Sequence, residues 1–329
     1  MKKFILAVDL GTSNTTIYTS SKQVIFDEPT CVAIDKTTKE VKEIGYLASK
    51  IAGKTPFNYD VSFPVRNGIV DDDVQVYKYL QRVLNSVKLD KAFKNFTIIF
   101  SCPSKCSKVN ADALINIGKT LQAKEIYIEP QAKLAALGAG ENVYSPNATL
   151  VCNIGAGITD IGVVSMGELV SSSSTFVASS TFDEAIRRYM IHKQHILISN
   201  MRAEYVKMRV GDVSPVQKNQ LLDVVGRDTI TSLPTKRTVS SNEMKSVIEP
   251  LVDFISLKIT DVISLLQPDL ASDLISNGLI LTGGGSLLGG LSEYLSKQLS
   301  IPVRVSKDPI NSVTNGMKVL VDKLMEENK

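Results

Sequence analysis

FILAVDLGTSNTTIYT (residues 4–19) is echoed by TLVCNIGAGITDIGVVS (residues 149–165). Each stretch reads as an apolar strand, an acidic or amide residue (Asp9, Asn153), a tight loop rich in Gly, Ser and Thr, and a second apolar strand. One Gly-rich hairpin is weak evidence, because most such sequences are ordinary turns. Two matching hairpins in the two halves of a chain point to an internal duplication. A pair of such loops suits a polyphosphate: glycines let backbone N–H groups approach anionic oxygens, and Thr12, Ser13, Thr15 and Thr159 add hydroxyl donors. Asp9, at a strand end, is placed to reach a water bound to Mg2+, a hard cation that keeps several waters and prefers oxygen ligands.

The rest of the chain fits a two-lobed α/β protein. At 329 residues it exceeds the usual size of a single core. Its 43% hydrophobic and 22% charged residues are those of an ordinary globular chain. A net charge of +3, with both signs interspersed, gives no nucleic-acid surface. Cys31, Cys102, Cys106 and Cys152 lack metal-ligand spacing and read as free thiols. No run approaches the roughly 20 apolar residues of a membrane span, and Asp9 interrupts the N-terminal apolar run too early for a signal peptide, so a cytoplasmic protein is expected.

Strands are expected at 4–9, 14–20 and 30–35 as a meander, then at 96–102 and 125–128, with helices at 74–88, 107–121 and 131–140. Asp71, Asp72 and Asp73 suit a first helical turn better than a metal site. The second half repeats the plan with strands at 149–153, 159–165 and 168–175. Helices follow near 182–192 and 200–209, then a polar interval to 240, a long helix at 242–266, a strand, a Gly283-Gly284-Gly285 turn and a final helix at 312–327.

DLGTSNTTIY, EPTCVAI, GKTP at 53–56, VRNGIVDD, FDEAI at 182–186, RAEYVKMRVG at 202–211, GRDTITSLP at 226–234 and LTGGGSLLGGL follow one another in the order and spacing of MreB, the bacterial actins. The resemblance spans essentially the whole chain. It implies an actin-like two-lobe α/β fold of duplicated ribonuclease-H-like domains with a nucleotide cleft between the lobes. Four subdomains are implied: 1–31 with 66–145, 32–65, 146–180 with 241–329, and 181–240. It also implies binding of ATP with Mg2+, self-assembly into filaments, possible pairing with other MreB-type subunits, and a peripheral position at the inner membrane face.

By the same resemblance, Asp9, Gly11, Thr12, Ser13 and Asn14 match the first phosphate loop, and Gly155, Ala156 and Gly157 the second. Glu204 and Lys207, at i, i+3 on one helix face, match positions that contact ribose and adenine; as residues alone they read as a solvated surface pair. Gly283, Gly284 and Gly285 match the turn under the nucleotide. Phe93, flanked by Lys91 and Lys94, stands where some relatives insert an apolar loop into the bilayer, with packing against its own lobe as the alternative.

Three catalytic positions depart from the family pattern. Where relatives carry a glutamate, an aspartate and a threonine, this chain has Gln131, Asn153 and Ile158. Glutamine orients a water but takes its proton poorly, although the actin branch uses glutamine there. Asn153 deletes a charge that would help hold hydrated Mg2+, and Ile158 deletes a hydroxyl. A register with Glu129 at the catalytic place would rotate the helix face by roughly 200°, so Gln131 is preferred. The expectation is ATP binding with slow hydrolysis. A small-molecule kinase would need an acidic base in a sugar-kinase motif, and an Hsp70-like ATPase would need a peptide-binding domain; neither is evident in the sequence.

Overall fold

The computed structural model describes residues 4–21, 23–52, 58–87, 96–215 and 219–327. The GKTP segment at 53–56 and Phe93 lie outside them. The chain divides into two compact units: 1–142 with 311–329, and 143–310.

The first unit runs β1 (Ile5–Leu10), β2 (Asn14–Thr19), β3 (Gln23–Pro29), β4 (Val32–Asp35), β5 (Val41–Ile44), α1 (Gly45–Ile51), β6 (Tyr59–Ser62), β7 (Val65–Arg66), β8 (Ile69–Val70), α2 (Asp73–Ser86), β9 (Thr97–Cys102), α3 (Lys108–Thr120), β10 (Glu125–Pro130) and α4 (Gln131–Gly138). The second runs β11 (Thr149–Ile154), β12 (Thr159–Ser165), β13 (Glu168–Thr175), α5 (Ser179–His192), β14 (Ile196–Leu197), α6 (Asn200–Val210), β15 (Leu221–Asp228), β16 (Pro234–Ser240), α7 (Ser241–Ser264), α8 (Pro268–Asn277), β17 (Leu279–Thr282), α9 (Leu291–Leu299) and β18 (Val303–Val305). Helix α10 (Ser312–Glu327) returns to the first unit, where the sequence had suggested attachment to the second half.

Each unit is built on a five-stranded sheet of the same topology. In the first the order is β3-β2-β1-β9-β10, and in the second β13-β12-β11-β17-β18. In both, the first three strands form an antiparallel meander and the last two run parallel to its first strand. The central strands read as continuous apolar runs because both faces are covered: Ile98, Ile99 and Phe100 on β9, and Leu150, Val151 and Cys152 on β11, are fully buried. The meander's third strand is β3, not 30–35. Val32–Asp35 pairs instead with β5 and β6 in a separate small sheet, because Thr30 turns the chain by donating its amide to the Ser13 carbonyl.

The polar interval before residue 240 is the β15–β16 hairpin, in a three-stranded sheet with β14. Its buried positions are few, so the apolar alternation that marks a strand is faint. The acidic triplet behaves as a helix start: Asp72 caps α2 by accepting from the Gln75 amide at 2.9 Å, and Asp73 sits in the first turn. All four cysteines are free.

Helices α4 and α10 approach at backbone contact. A side chain on Gly138 would strike the Ser312 carbonyl, and one on Gly316 the Leu134 carbonyl. Two glycines on facing helices therefore fix how α4 lies, and α4 begins at Gln131. No helix among the described residues is long and apolar enough to cross a membrane.

Candidate functional site

The two loops share one construction, with equivalent residues 144 positions apart. In the first, the Gly11 amide donates to the Asn14 carbonyl at 3.0 Å. In the second, the Gly155 amide donates to the Ile158 carbonyl at 2.9 Å. The strands entering and leaving each loop are in the same register, Leu10 opposite Thr15 and Ile154 opposite Thr159.

The hydroxyls divide into two sets. Thr15 and Thr159, expected to be phosphate donors, are both fully buried and are spent inside the protein. Thr15 Oγ1 lies 2.8 Å from Thr30 Oγ1, which donates to the Gly11 carbonyl at 2.7 Å, and Thr159 Oγ1 donates to the Val177 carbonyl at 2.8 Å. Strand alternation turns them away from the face that carries their neighbours Asn14, Thr16 and Ile158. Thr12 and Ser13 stay on the loop. Thr12 Oγ1 accepts from the Gly68 amide at 2.7 Å, which belongs to the Asn67-Gly68 turn between β7 and β8, where both residues have positive φ. Its proton remains available as a donor.

Asp9 is the centre of the first unit's polar chemistry. Ser101 Oγ donates to its Oδ1 at 2.6 Å, and the Gln131 side chain lies near enough to lower its pKa. Burial pushes the Asp9 carboxyl above the usual aspartate range, against the lowering pull of Ser101 and Gln131. Gln131 is 6% exposed at the first position of α4. Glu129 stands apart from it, on β10, in an ion pair with Lys133 at 3.1 Å. The structure thus brings Gln131, and not Glu129, onto Asp9.

In the second unit Asn153 is 6% exposed and its Oδ1 accepts from Thr282 Oγ1 at 3.2 Å. Ile158 is buried, where its counterpart Asn14 is exposed. The loop Gly155-Ala156-Gly157 is held by the start of α5: the Ser179 amide donates to the Gly155 carbonyl at 3.1 Å, and Ser180 gives both its amide and its hydroxyl to the Ala156 carbonyl. Gly283 has φ +78° and lies so close to Ile154 that a side chain would strike that residue's carbonyl. Gly285 is closed off by the Ile154 side chain, whereas Gly284 has open space around it. Among the three glycines Gly284 alone leaves room for a ligand to lie flat.

Glu204 and Lys207 share a face of α6 but do different things. Glu204 is exposed. Lys207 folds inward, its Nζ 2.9 Å from Asp183 Oδ1 and 2.6 Å from Ser179 Oγ, with side chains only 10% and 16% exposed. It is an internal tie from α6 to the first turn of α5, not a solvated surface lysine. Burial raises the Asp183 carboxyl, and the Lys207 charge opposes that rise.

Reasoning on single motifs missed a polar row that crosses each sheet just before its loop. Side chains directly opposite on paired strands share a face. In the first unit the row is Asp27, Thr16, Asp9, Ser101 and Glu129. In the second it is Ser174, Asp160, Asn153 and Thr282. Hydroxyls bond carboxylates in both: Thr16 Oγ1 to Asp27 Oδ1 at 3.2 Å, and Ser174 Oγ to Asp160 Oδ1 at 2.6 Å. The signal was present in the duplication, since Asp160 stands at the position equivalent to Thr16.

Two units of identical sheet topology, each with a glycine loop and a polar row, define the actin-like class of nucleotide-binding folds. The MreB/Mbl protein family matches residues 3–329, and the chain belongs to that family. It is 33% identical to the cell shape-determining protein Mbl of Bacillus subtilis, over 97% of this chain and 96% of that one. It is 32% identical to the cell shape-determining protein MreB of Escherichia coli K12, over 94% and 91%. The crystal structure of MreB5 of Spiroplasma citri bound to AMPPNP covers all of both chains with a TM-score of 0.93 at 30% identity. The MamK double helical filament, at 19% identity, shares the fold with a TM-score of 0.80 over 97% of this chain.

Proposed function

We propose that this chain is a bacterial actin that binds ATP with Mg2+, assembles into cytoskeletal filaments that support cell shape or shape-linked motility, and hydrolyses ATP slowly. The observation that carries this reading is the duplicated loop, with Asp9 fixed by Ser101 and Gln131 beside it in the first copy. The 30%-identical MreB5 has been crystallised with AMPPNP and with ADP, and MamK forms a double helical filament.

The residues present suit a nucleotide and its cation. The polar rows offer oxygen and amide groups, the donor type that Mg2+ prefers. Among the described residues no group of three or more His, Cys, Asp or Glu side chains forms a cation cage. Mg2+ at nucleotide sites is usually held by one or two carboxylates with substrate phosphates and water. When bound, Mg2+ would neutralise charge on the phosphates and present ordered waters. Asp9 would accept from such a water, and a cation there would draw its raised pKa down. The Gly11–Asn14 and Gly155–Gly157 backbones would face the phosphates with N–H groups, and Thr12 and Ser13 would donate hydroxyl protons. Gly284 would sit beneath the base or ribose, with Glu204 as the exposed polar group toward it. Lys207 would act through its hold on Ser179 and Asp183, keeping the first turn of α5 against the second loop.

The attacking water would be oriented by Gln131, which lacks the basicity to take its proton readily. Ile158 offers no hydroxyl to help, and Asn153 no charge. Three weakened positions on one reaction give filaments governed more by concentration, salt and partners than by hydrolysis. The four-subdomain division, with 32–65 and 181–240 as the smaller parts, belongs to the same reading, as does contact with the membrane face through Phe93.

Pelleting and electron microscopy with ATP, ADP and AMPPNP test the assignment. Filaments that depend on nucleotide, with Mg2+ required for tight binding, are expected. Absence of both filaments and nucleotide binding would overturn it. Unchanged liposome co-sedimentation of Phe93→Ala would remove the membrane contact alone.

A further inference from the structure

Helix α6 is apolar on two sides. Ala203, Val206 and Val210 pack into the second unit, while Met201, Tyr205 and Met208 stand in solvent at 82%, 42% and 76% exposure. The outward three are spaced by four and then three residues, which brings them onto one stripe of the helix. A surface helix normally turns charged and polar side chains outward. Met and Tyr are instead side chains that protein interfaces favour, and an exposed apolar patch on the order of a few hundred Å2 is often a functional one.

The spacing is that of a coiled-coil seam. With Met201 and Met208 at successive d positions and Tyr205 at the a position between them, Arg202 and Arg209 fall at e and Glu204 at g. The arginines line one edge of the stripe and the glutamate the other. Arg202 lies over the Tyr205 ring, its guanidinium carbon 5.6 Å from the centroid, and so holds that ring in the stripe. Glu204 and Arg209 are exposed and make no ion pair with any described residue.

The charged edges select the occupant. In a parallel pair of such helices the g residue of one lies beside the following e residue of the other, so Glu204 meets the partner's Arg209 on both sides of the twofold axis. Antiparallel pairing would set glutamate against glutamate and arginine against arginine. A second copy of this chain therefore satisfies both the apolar stripe and its charges. Helix α6 has 11 residues, so three seam side chains per copy fall well short of the roughly 1,200–2,000 Å2 that a stable interface buries. One such pair is weak, and a row of them along two filaments gains strength by multivalency.

We propose that the outer face of α6 is a lateral contact between filaments of this chain, made by parallel pairing of α6 with α6 of a second copy. This rests on the filament reading given above. Glu204 has two carboxylate oxygens, so a contact toward a bound nucleotide and an ion pair across the seam are compatible.

The test uses the full chain assembled on ATP, with filaments recovered by high-speed and bundles by low-speed sedimentation, and both viewed by electron microscopy. Wild type should bundle. Met208→Glu and Arg209→Glu should raise the protein concentration needed for bundling by about ten-fold or more while filaments still form. In a Cys106→Ser background, Met208→Cys should give a disulfide-linked dimer under mild oxidation, and Asn200→Cys, at a c position off the seam, should not. Wild-type filaments that never bundle, unchanged bundling in both charge variants, or equal cross-linking at 200 and 208 would overturn the proposal. Loss of the filaments themselves in Arg209→Glu would place α6 inside the filament's own contact and overturn the lateral assignment. Retention of wild type but not Met208→Glu on phosphatidylglycerol vesicles, without bundling, would assign the face to a bilayer and overturn the pairing. Wild type that forms no filaments on any nucleotide would overturn the filament reading itself, and this inference with it.

Discussion

The two loops of this protein have the same backbone and different electrostatics. The first is led by an aspartate held by Ser101 with Gln131 nearby, followed by the exposed Asn14 and braced by Thr30. The second is led by a neutral amide, closed by the buried Ile158, and carries its carboxylate across the hairpin on Asp160. Backbone geometry set by glycine and strand pairing is common to the two copies, whereas the side-chain chemistry on that frame differs between them.

The largest expected effect breaks the comparison at the reacting water. Gln131→Glu combined with Ile158→Thr should raise phosphate release by about ten-fold or more, since a positioned base is typically worth 10²–10⁴. An unchanged rate would show that these positions do not limit hydrolysis. Next in size is the Gly283–Gly284 contrast. Gly283→Ala forces a side chain into the Ile154 carbonyl at φ +78° and should cost about 2 kcal/mol or more in denaturant unfolding. Gly284→Ala meets nothing and should leave stability nearly unchanged while weakening nucleotide affinity, because the proposed ligand would lie on that open face. Equal stability losses for the two would contradict the geometry.

Lys207 sharpens the contrast between internal tie and surface pair. Lys207→Ala leaves the Asp183 carboxylate buried without its counter-charge and should cost about 2–3 kcal/mol. Glu204→Ala, at an exposed position, should stay within about 0.5 kcal/mol. Comparable melting points for the two variants would refute the inward placement of Lys207.

The smallest effect concerns pH. The folded Asp9 pKa is raised by burial, so its contribution to the stability of the ligand-free protein is fully present below the unfolded aspartate pKa. That contribution is lost as pH rises through the raised folded value. Asp9→Asn should flatten this part of the stability profile and raise the ligand-free melting temperature slightly at neutral pH. The same variant should lose the stabilisation that Mg2+ and nucleotide confer on wild type. A lower ligand-free melting temperature at pH 7 would mean that the Ser101 hydrogen bond and the favourable influence of Gln131 outweigh desolvation.

Much of this was legible in the sequence because the informative residues lie in apolar runs broken by glycine. The hairpins at 4–19 and 149–165 and helices α3, α6 and α7 follow from period and punctuation, whereas Gln131 was singled out only by the resemblance to MreB. The hairpin β15–β16 was not legible, since its strands expose most side chains and pair chiefly through backbone groups. Thr15 and Thr159 misled for a related reason: a hydroxyl beside a glycine loop looks like a phosphate donor until strand alternation turns it inward. Helix α10 could not be assigned to the first unit because its partner, α4, is about 180 residues away in sequence, and the glycines that join them carry no periodic signal.

The central claim is that nucleotide is held firmly while its hydrolysis is blunted. Single-turnover release of phosphate from pre-bound ATP, followed beside sedimentation of filaments under the same conditions, tests it most directly. The account predicts filaments that form and persist on ATP while little phosphate is released, with release quickened by restoring Glu at 131 and Thr at 158. Phosphate release that keeps pace with assembly in the unaltered chain would contradict it.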